Sequence, residues 1–155
     1  MKTMKQILLR QYQQIVDQAA ESVAGLPLPQ EGWIRTMRNA LGMSGAQLAR
    51  KLKMSRAQIS QAERNEVSGA VTLKSLQKMA DAMGCRVVYA FVPEVPSNEM
   101  VVRRAREKAK QLVSKADTHM ALEQQSLSSK DREFEIGRLQ RKLLDKMPSD
   151  LWDDG

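Results

Sequence analysis

The stretch Ser44-Gly-Ala-Gln47-Leu-Ala-Arg-Lys-Leu-Lys-Met-Ser55-Arg-Ala-Gln58 carries the same four-residue signal twice, eleven residues apart. In a Ser-x-x-Gln box the hydroxyl accepts a hydrogen bond from the third backbone N–H, and the amide side chain reaches back to the N–H of the serine. Two boxes in this register predict two short helices, about 45–52 and 56–64, joined by a tight turn at Lys53-Met54. Leu48, Leu52, Ile59 and Ala62 then share the inward face. Ala49 sits where the helices cross, small enough to let the backbones approach. A short helix, a tight turn and a second helix form the unit that lays its second helix in a DNA groove.

With Leu48, Ile59 and Ala62 inside, the outward face of the second helix holds Arg56, Ala57, Ser60, Gln61 and Arg64, and no acid among them. The Arg56 guanidinium has two N–H groups for a guanine, the Gln61 amide matches an adenine, and Ala57 suits a thymine methyl. Ser44, Gln47 and Ser55 at the helix starts, with Arg50 and Lys53 beside the turn, complete the candidate DNA-binding set. A solvated helical hairpin is the plain alternative, and it explains neither the matched caps nor the charge.

Formal net charge is +7, and residues 1–93 hold all of the excess: 13 Lys and Arg against 6 Asp and Glu. Residues 94–155 hold 12 of each. Residues 31–65 alone carry seven basic and two acidic side chains, a concentration expected of nucleic-acid binding. The first residues are basic but lead into no apolar core, so no signal peptide is expected, and no run is long enough for a membrane span. A cytoplasmic location follows as the expectation. Cys85 and His119 are the only residues of their types, which excludes an intrachain disulfide and a zinc site with several Cys or His ligands. No catalytic constellation stands out: an enzyme is not expected, nor is a cofactor. Cys85 reads as a structural thiol.

Working outward, Met4, Ile7, Leu8, Tyr12, Ile15, Ala19 and Val23 recur at steps of three and four, predicting one amphipathic helix over 2–24. A Pro/Gly-rich linker follows, giving a first region of 1–31. Four short helices are expected from Trp33 to Met83. Residues 86–92 are β-branched and aromatic and stop at Pro93, the one convincing strand. A lone strand leaves its backbone unpaired, so Val87, Val88, Tyr89 and Phe91 are the candidate dimerisation residues of a two-fold pair. That closes the central domain, 32–93. The C-terminal region, 94–155, reads as two helices, about 98–116 and 130–147, around a Ser/Gln-rich stretch at Thr118–Ser129. The fold class is mainly α with one strand.

Ile34-Arg35, Arg38, Leu41-Gly42-Met43-Ser44, Gln47-Leu48-Ala49, Leu52, Met54-Ser55, Ile59-Ser60 and Glu63 resemble the phage-repressor (XRE-type) DNA-binding family over roughly 33–85. The resemblance implies a five-helix phage-repressor-like domain in which Ser55, Arg56, Ala57, Ser60 and Gln61 meet bases or phosphates. Two positions depart from the pattern. Gly45 stands where a phosphate-binding Gln is common, and Lys53 where a Gly is common, at a conformational cost if its φ is positive.

A narrower resemblance covers nearly the whole chain. Thr72-Leu-Lys-Ser-Leu-Gln-Lys-Met-Ala80, Met83 to Pro93, Thr118-His-Met-Ala-Leu-Glu-Gln124 and Leu151-Trp152-Asp153 resemble the mobile mystery protein A family. Members are antitoxin-like and encoded beside a Fic-domain protein, so the resemblance implies a Fic-type toxin as client. The expected function is an antitoxin and transcriptional repressor that binds a palindromic site in its own promoter; the alternative is a repressor with no client. Apolar residues of the neutral C-terminal region supply the candidate toxin-binding set: Phe134, Leu139, Leu143 and Trp152. Ser129 and Glu133 have the spacing of a Fic inhibitory motif, but Phe134 replaces the Gly or Asn that should follow, and Ser129 reads more simply as a helix cap. The run Arg103, Arg104, Arg106, Lys108 and Lys110 reads as a solvated helix face.

Overall fold

The computed structural model describes residues 1–122 and 127–155. Glu123 and Gln124, the end of one stretch read from the sequence, lie outside the described residues. Seven helices are present among those described: α1 Met4–Val23, α2 Trp33–Ala40, α3 Gly45–Leu52, α4 Arg56–Ser68, α5 Leu73–Ala82, α6 Ser97–Leu122 and α7 Ser129–Lys146. The chain divides into two compact units. One joins Met1–Ser22 to Phe91–Gly155, and the other is Val23–Ala90.

The Val23–Ala90 unit is built from α2 to α5, the four helices expected from Trp33 to Met83, where the family resemblance implied five. Both capping boxes form. The hydroxyls of Ser44 and Ser55 each accept from the N–H three residues on at 3.1 Å, and Gln47 and Gln58 each accept from the serine N–H at 2.8 Å. Between them Lys53 is left-handed, at φ 55 and ψ 41, so its N–H closes α3 while the chain reverses. The N–H of Met54 completes the turn on the carbonyl of Ala49 at 2.9 Å. α4 runs four residues past its expected end and stops at Gly69, whose φ of 83 suits only a residue without a side chain.

Ile34, Leu48, Ala49, Ile59, Ala62, Met79 and Met83 are buried together, with Met37, Met43, Leu52, Met54, Leu76 and Cys85 packed around them. Flexible methionines occupy the space that aromatics would take in most cores. Two polar fastenings hold α2 to α4. Arg38 pairs with Glu63 at 2.7 Å, both side chains 13% exposed, and also donates to the carbonyl of Met43 at 2.9 Å. Glu66 accepts from the first two N–H groups of α2, Trp33 at 2.7 Å and Ile34 at 2.9 Å. That carboxylate acts as an N-cap from another helix, and Gly32 makes room for it: a Cβ there would lie 2.7 Å from Glu66 Oε1.

The strand expected at 86–92 is not present among the described residues. The segment is irregular, and of its backbone groups the Val87 N–H finds the side chain of Gln77 at 3.4 Å. The reason is elementary: a strand is defined by a paired ladder, and among the described residues there is no second strand to pair with.

In the other unit α6 and α7 form a hairpin running in opposite directions, with Asp117 meeting Arg132 near the turn and the Val102 carbonyl accepting from Gln140 further along. Its core is small: Ala109, Val113 and Ile136, flanked by Leu127, Leu139 and Leu143. α7 is capped by Ser128, whose hydroxyl accepts from Asp131 N–H at 3.1 Å, one residue before the cap expected at Ser129. The C-terminal residues fold back on α6. Leu151 is buried, and the buried Arg104 donates to the carbonyls of Leu151 and Asp153 at 2.7 and 2.8 Å. α1 spans the residues expected of it, yet none of them is fully buried.

Candidate nucleic-acid interface

The two capped helices give α4 a defined presentation. Ile59 and Ala62 are locked in the core, so Arg56, Ala57, Gln61 and Arg64 project from the opposite side and are exposed, while Ser60 is half-buried. Ser44, Gln47, Arg50, Lys53 and Ser55 are exposed as well. The expected set thus lies along α3, from its N-cap Ser44 to its C-cap Lys53, at the start of α4 and on the outward side of α4. A groove of about 620 Å³ opens along this face, lined among others by Arg35, Ser44, Arg56, Ser60 and Arg64.

The state of the polar side chains decides what this face does chemically. Ser44, Gln47 and Ser55 are already engaged in the caps, so they hold helix starts in place and have hydroxyl and amide N–H groups to spare. Gln61 donates to Asn65 at 2.8 Å and accepts from Arg64 at 2.8 Å, a string along α4 that a base edge would have to replace. Among the described residues, no acid forms an ion pair with Arg50, Lys51, Lys53, Arg56 or Arg64. Unneutralised cations on a convex helical face attract polyphosphate. Lys51 is an addition to the set read from the sequence, placed beside Arg50 in the last turn of α3. Arg38, Glu63 and Glu66 went unassigned there because nothing local marks a pairing across 25 or more residues.

The remaining candidates fall differently. Val88, Tyr89 and Phe91 are 76, 68 and 86% exposed, and Val87 is half-buried. Beside Val87 and Tyr89 an apolar cleft of about 440 Å³ runs along Trp33, Met37, Leu73 and Leu76. Leu139 and Leu143 pack on the α6–α7 core, whereas Phe134 is exposed and Trp152 is half open with Arg104 over its ring at 5.9 Å. Glu133 is bound to Arg106, and that guanidinium holds its carboxyl below the usual carboxylate range through a hydrogen bond and direct attraction. Arg103, Arg104 and Arg106 all meet acids of their own unit. No helix among the described residues is long and apolar enough to cross a membrane.

A helix-turn-helix family model matches residues 34–89, which hold nearly all of α2 to α5 and the start of the irregular segment. No curated protein and no solved structure matches the chain. The matched segment, the paired caps and the exposed cationic face agree, and residues 34–89 are an XRE-type helix-turn-helix domain, the domain of DNA-binding transcription regulators.

Proposed function

We propose that this chain is a sequence-specific antitoxin and autorepressor: it binds a palindromic site in its own promoter as a homodimer and neutralises a Fic-type toxin. The observation that carries the DNA half is the face of α4, where among the described residues no acid pairs with Arg56 or Arg64, on a helix whose inner side is locked by Ile59 and Ala62. Arg56 and Gln61 read bases, Ser60 and Ala57 fit between them, and Arg50, Lys53, Ser44, Gln47 and Ser55 meet the backbone. Val87, Val88, Tyr89 and Phe91 supply the dimer contact, with two Arg86–Val92 segments paired antiparallel so that the recognition helices stand roughly 34 Å apart. The backbone of that segment, unpaired with any strand among the described residues, and its exposed side chains support this pairing.

The client half rests on the resemblance to the mobile mystery protein A family and on the exposure of Phe134 and Trp152. Both are large anchors of the kind that fill a partner's pocket. Leu139 and Leu143 support them from the hairpin core. Blocking is by occlusion, since Glu133 is already occupied by Arg106 and Phe134 breaks the inhibitory pattern.

A promoter shift at several salt concentrations tests the DNA reading. Arg56→Ala and Gln61→Ala lose preference for the chain's own promoter more than non-specific binding, whereas Lys53→Ala and Arg50→Ala weaken all sequences alike and flatten the salt dependence. Unchanged promoter preference in both of the first pair removes α4 from base reading. For the client, Phe134→Glu with Trp152→Ala abolishes protection of cells expressing the neighbouring toxin and leaves promoter binding intact. Full protection by that variant leaves the chain a repressor without this client surface.

A further inference from the structure

One flank of α4 borders the groove of about 620 Å³, and α2 forms another part of its wall. Arg56, Ser60 and Arg64 recur at steps of four along α4 and line it, with Arg35 and Arg38 of α2. The two arginines of α2 are neighbours on their helix, yet they are held differently. Arg38 meets Glu63 at 2.7 Å with both side chains 13% exposed, and its bond to the Met43 carbonyl fixes it further. Arg35 meets Glu31 at 3.1 Å with side chains 54 and 56% exposed. The first pair is a fastening between helices. The second is local and open to solvent, so water and salt screen it and parting it costs little.

A helix seated in a DNA major groove has a sugar-phosphate backbone along each flank. α4 lies in a helix-turn-helix domain, and the groove beside Arg56, Ser60 and Arg64 is the path for one such backbone. That path is cationic. Arg38 and Glu63 neutralise each other, which leaves Arg35, Arg56 and Arg64 against Glu31 alone. With α4 as the recognition helix of the reading above, we propose that Arg35 is a further DNA-contact residue, a backbone clamp that exchanges Glu31 for a phosphate on binding. The phosphate offers the guanidinium the same two-oxygen edge as the carboxylate, and it arrives in the field of two more arginines. Glu31 holds Arg35 in the free chain and so lowers its affinity for every duplex. Phosphates carry no base identity, and the clamp therefore adds affinity without sequence preference.

Titration of the full chain with its own promoter and with an unrelated duplex, between about 50 and about 200 mM salt, tests the exchange. Arg35→Ala lowers affinity for both duplexes about fivefold and flattens the log–log salt slope by about one, with the preference between them unchanged. Arg35→Lys keeps the slope, because it keeps the charge. Glu31→Gln raises affinity for both about threefold, and the gain disappears when Arg35 is already Ala. A parental slope in Arg35→Ala overturns the proposal. So does an equal gain from Glu31→Gln in the Arg35→Ala background, since the acid would then only repel DNA. Arg56→Ala and Gln61→Ala tell this failure from that of the wider reading. Where they lose promoter preference while Arg35→Ala binds as the parent does, the clamp alone falls; where they keep it as well, α4 falls with the clamp.

Discussion

The Val23–Ala90 unit and the unit joining Met1–Ser22 to Phe91–Gly155 use their charges in opposite ways. In the first, ten Lys and Arg face four Asp and Glu, and the acids Glu63 and Glu66 are turned inward to fasten α2 to α4. Among the described residues Arg50, Lys51, Lys53, Arg56 and Arg64 are left without acidic partners, while Arg35 beside them pairs with Glu31. In the second, basic and acidic residues nearly balance, and Arg103, Arg104, Arg106, Arg132 and Arg138 each meet an acid of the same unit. The same residue types thus serve a polyanion in one unit and internal fastening in the other. The apolar residues show less contrast. The helix-turn-helix unit buries Ile34, Leu48 and Ile59 but leaves Leu26, Leu28, Leu41 and Leu73 open, and the other unit buries Ile136 and Leu151 while α1, Phe134 and Trp152 leave large side chains open. Net charge says little about where a protein meets its partners; the fraction of cations left unpaired says much more.

The largest expected effect comes from breaking the inward acid. Arg38→Ala or Glu63→Ala strands a mostly buried charge and lowers stability by about 3 kcal/mol, read as a fall in the urea midpoint. The paired change Arg38→Met with Glu63→Leu recovers most of that loss. A single variant as stable as the parent would show that this pair does not fasten α2 to α4.

The proposed dimer contact comes next. Val88→Pro prevents the ladder proposed between two 86–92 segments, so affinity for a whole palindrome falls about tenfold or more while affinity for one half-site holds. The readout is the ratio of the two dissociation constants in a gel shift. An unchanged ratio places the dimer contact elsewhere.

Lys53 separates stability from binding within the first unit. Its φ of 55 strains a residue with a Cβ, so Lys53→Gly raises stability by up to about 1 kcal/mol. The same change removes a cation and weakens binding to every DNA sequence alike. Thermal melts and a non-specific DNA titration should therefore move in opposite directions. A loss of stability would mean that the Lys53 side chain matters to the turn more than its backbone angle does.

The smallest effect belongs to the second unit. Arg106 holds the Glu133 carboxyl below its ordinary range, so this pairing stabilises the hairpin above that range and is lost as pH falls through the lowered value. Glu133→Gln lowers the melting temperature slightly at pH 7, and the gap to the parent closes below about pH 4. A gap that stays constant with pH would show that the ion pair contributes nothing.

Much of the helix-turn-helix was legible because its signals are local. Ser44 and Gln47, like Ser55 and Gln58, are three residues apart, and a capping box is satisfied by its own backbone whatever surrounds it. The same holds for the left-handed turn at Lys53, and for the burial of Leu48, Ile59 and Ala62 that follows once both helices are placed. The strand at 86–92 was legible only as a propensity, and a ladder needs a second segment that this chain does not provide. The apolar stripe of α1 was legible as a helix, but its surroundings were not: periodicity finds an apolar face but not whether anything covers it. By itself the sequence determined the helices, the inward set of α3 and α4 and the concentration of positive charge. Tertiary structure alone decided that Glu63 and Glu66 turn inward and that Arg106 is spent on Glu133. It also decided that Met4, Leu8, Tyr12 and Ile15 stay in solvent, because pairing between residues far apart in the chain depends on which faces meet, and no local spacing encodes that.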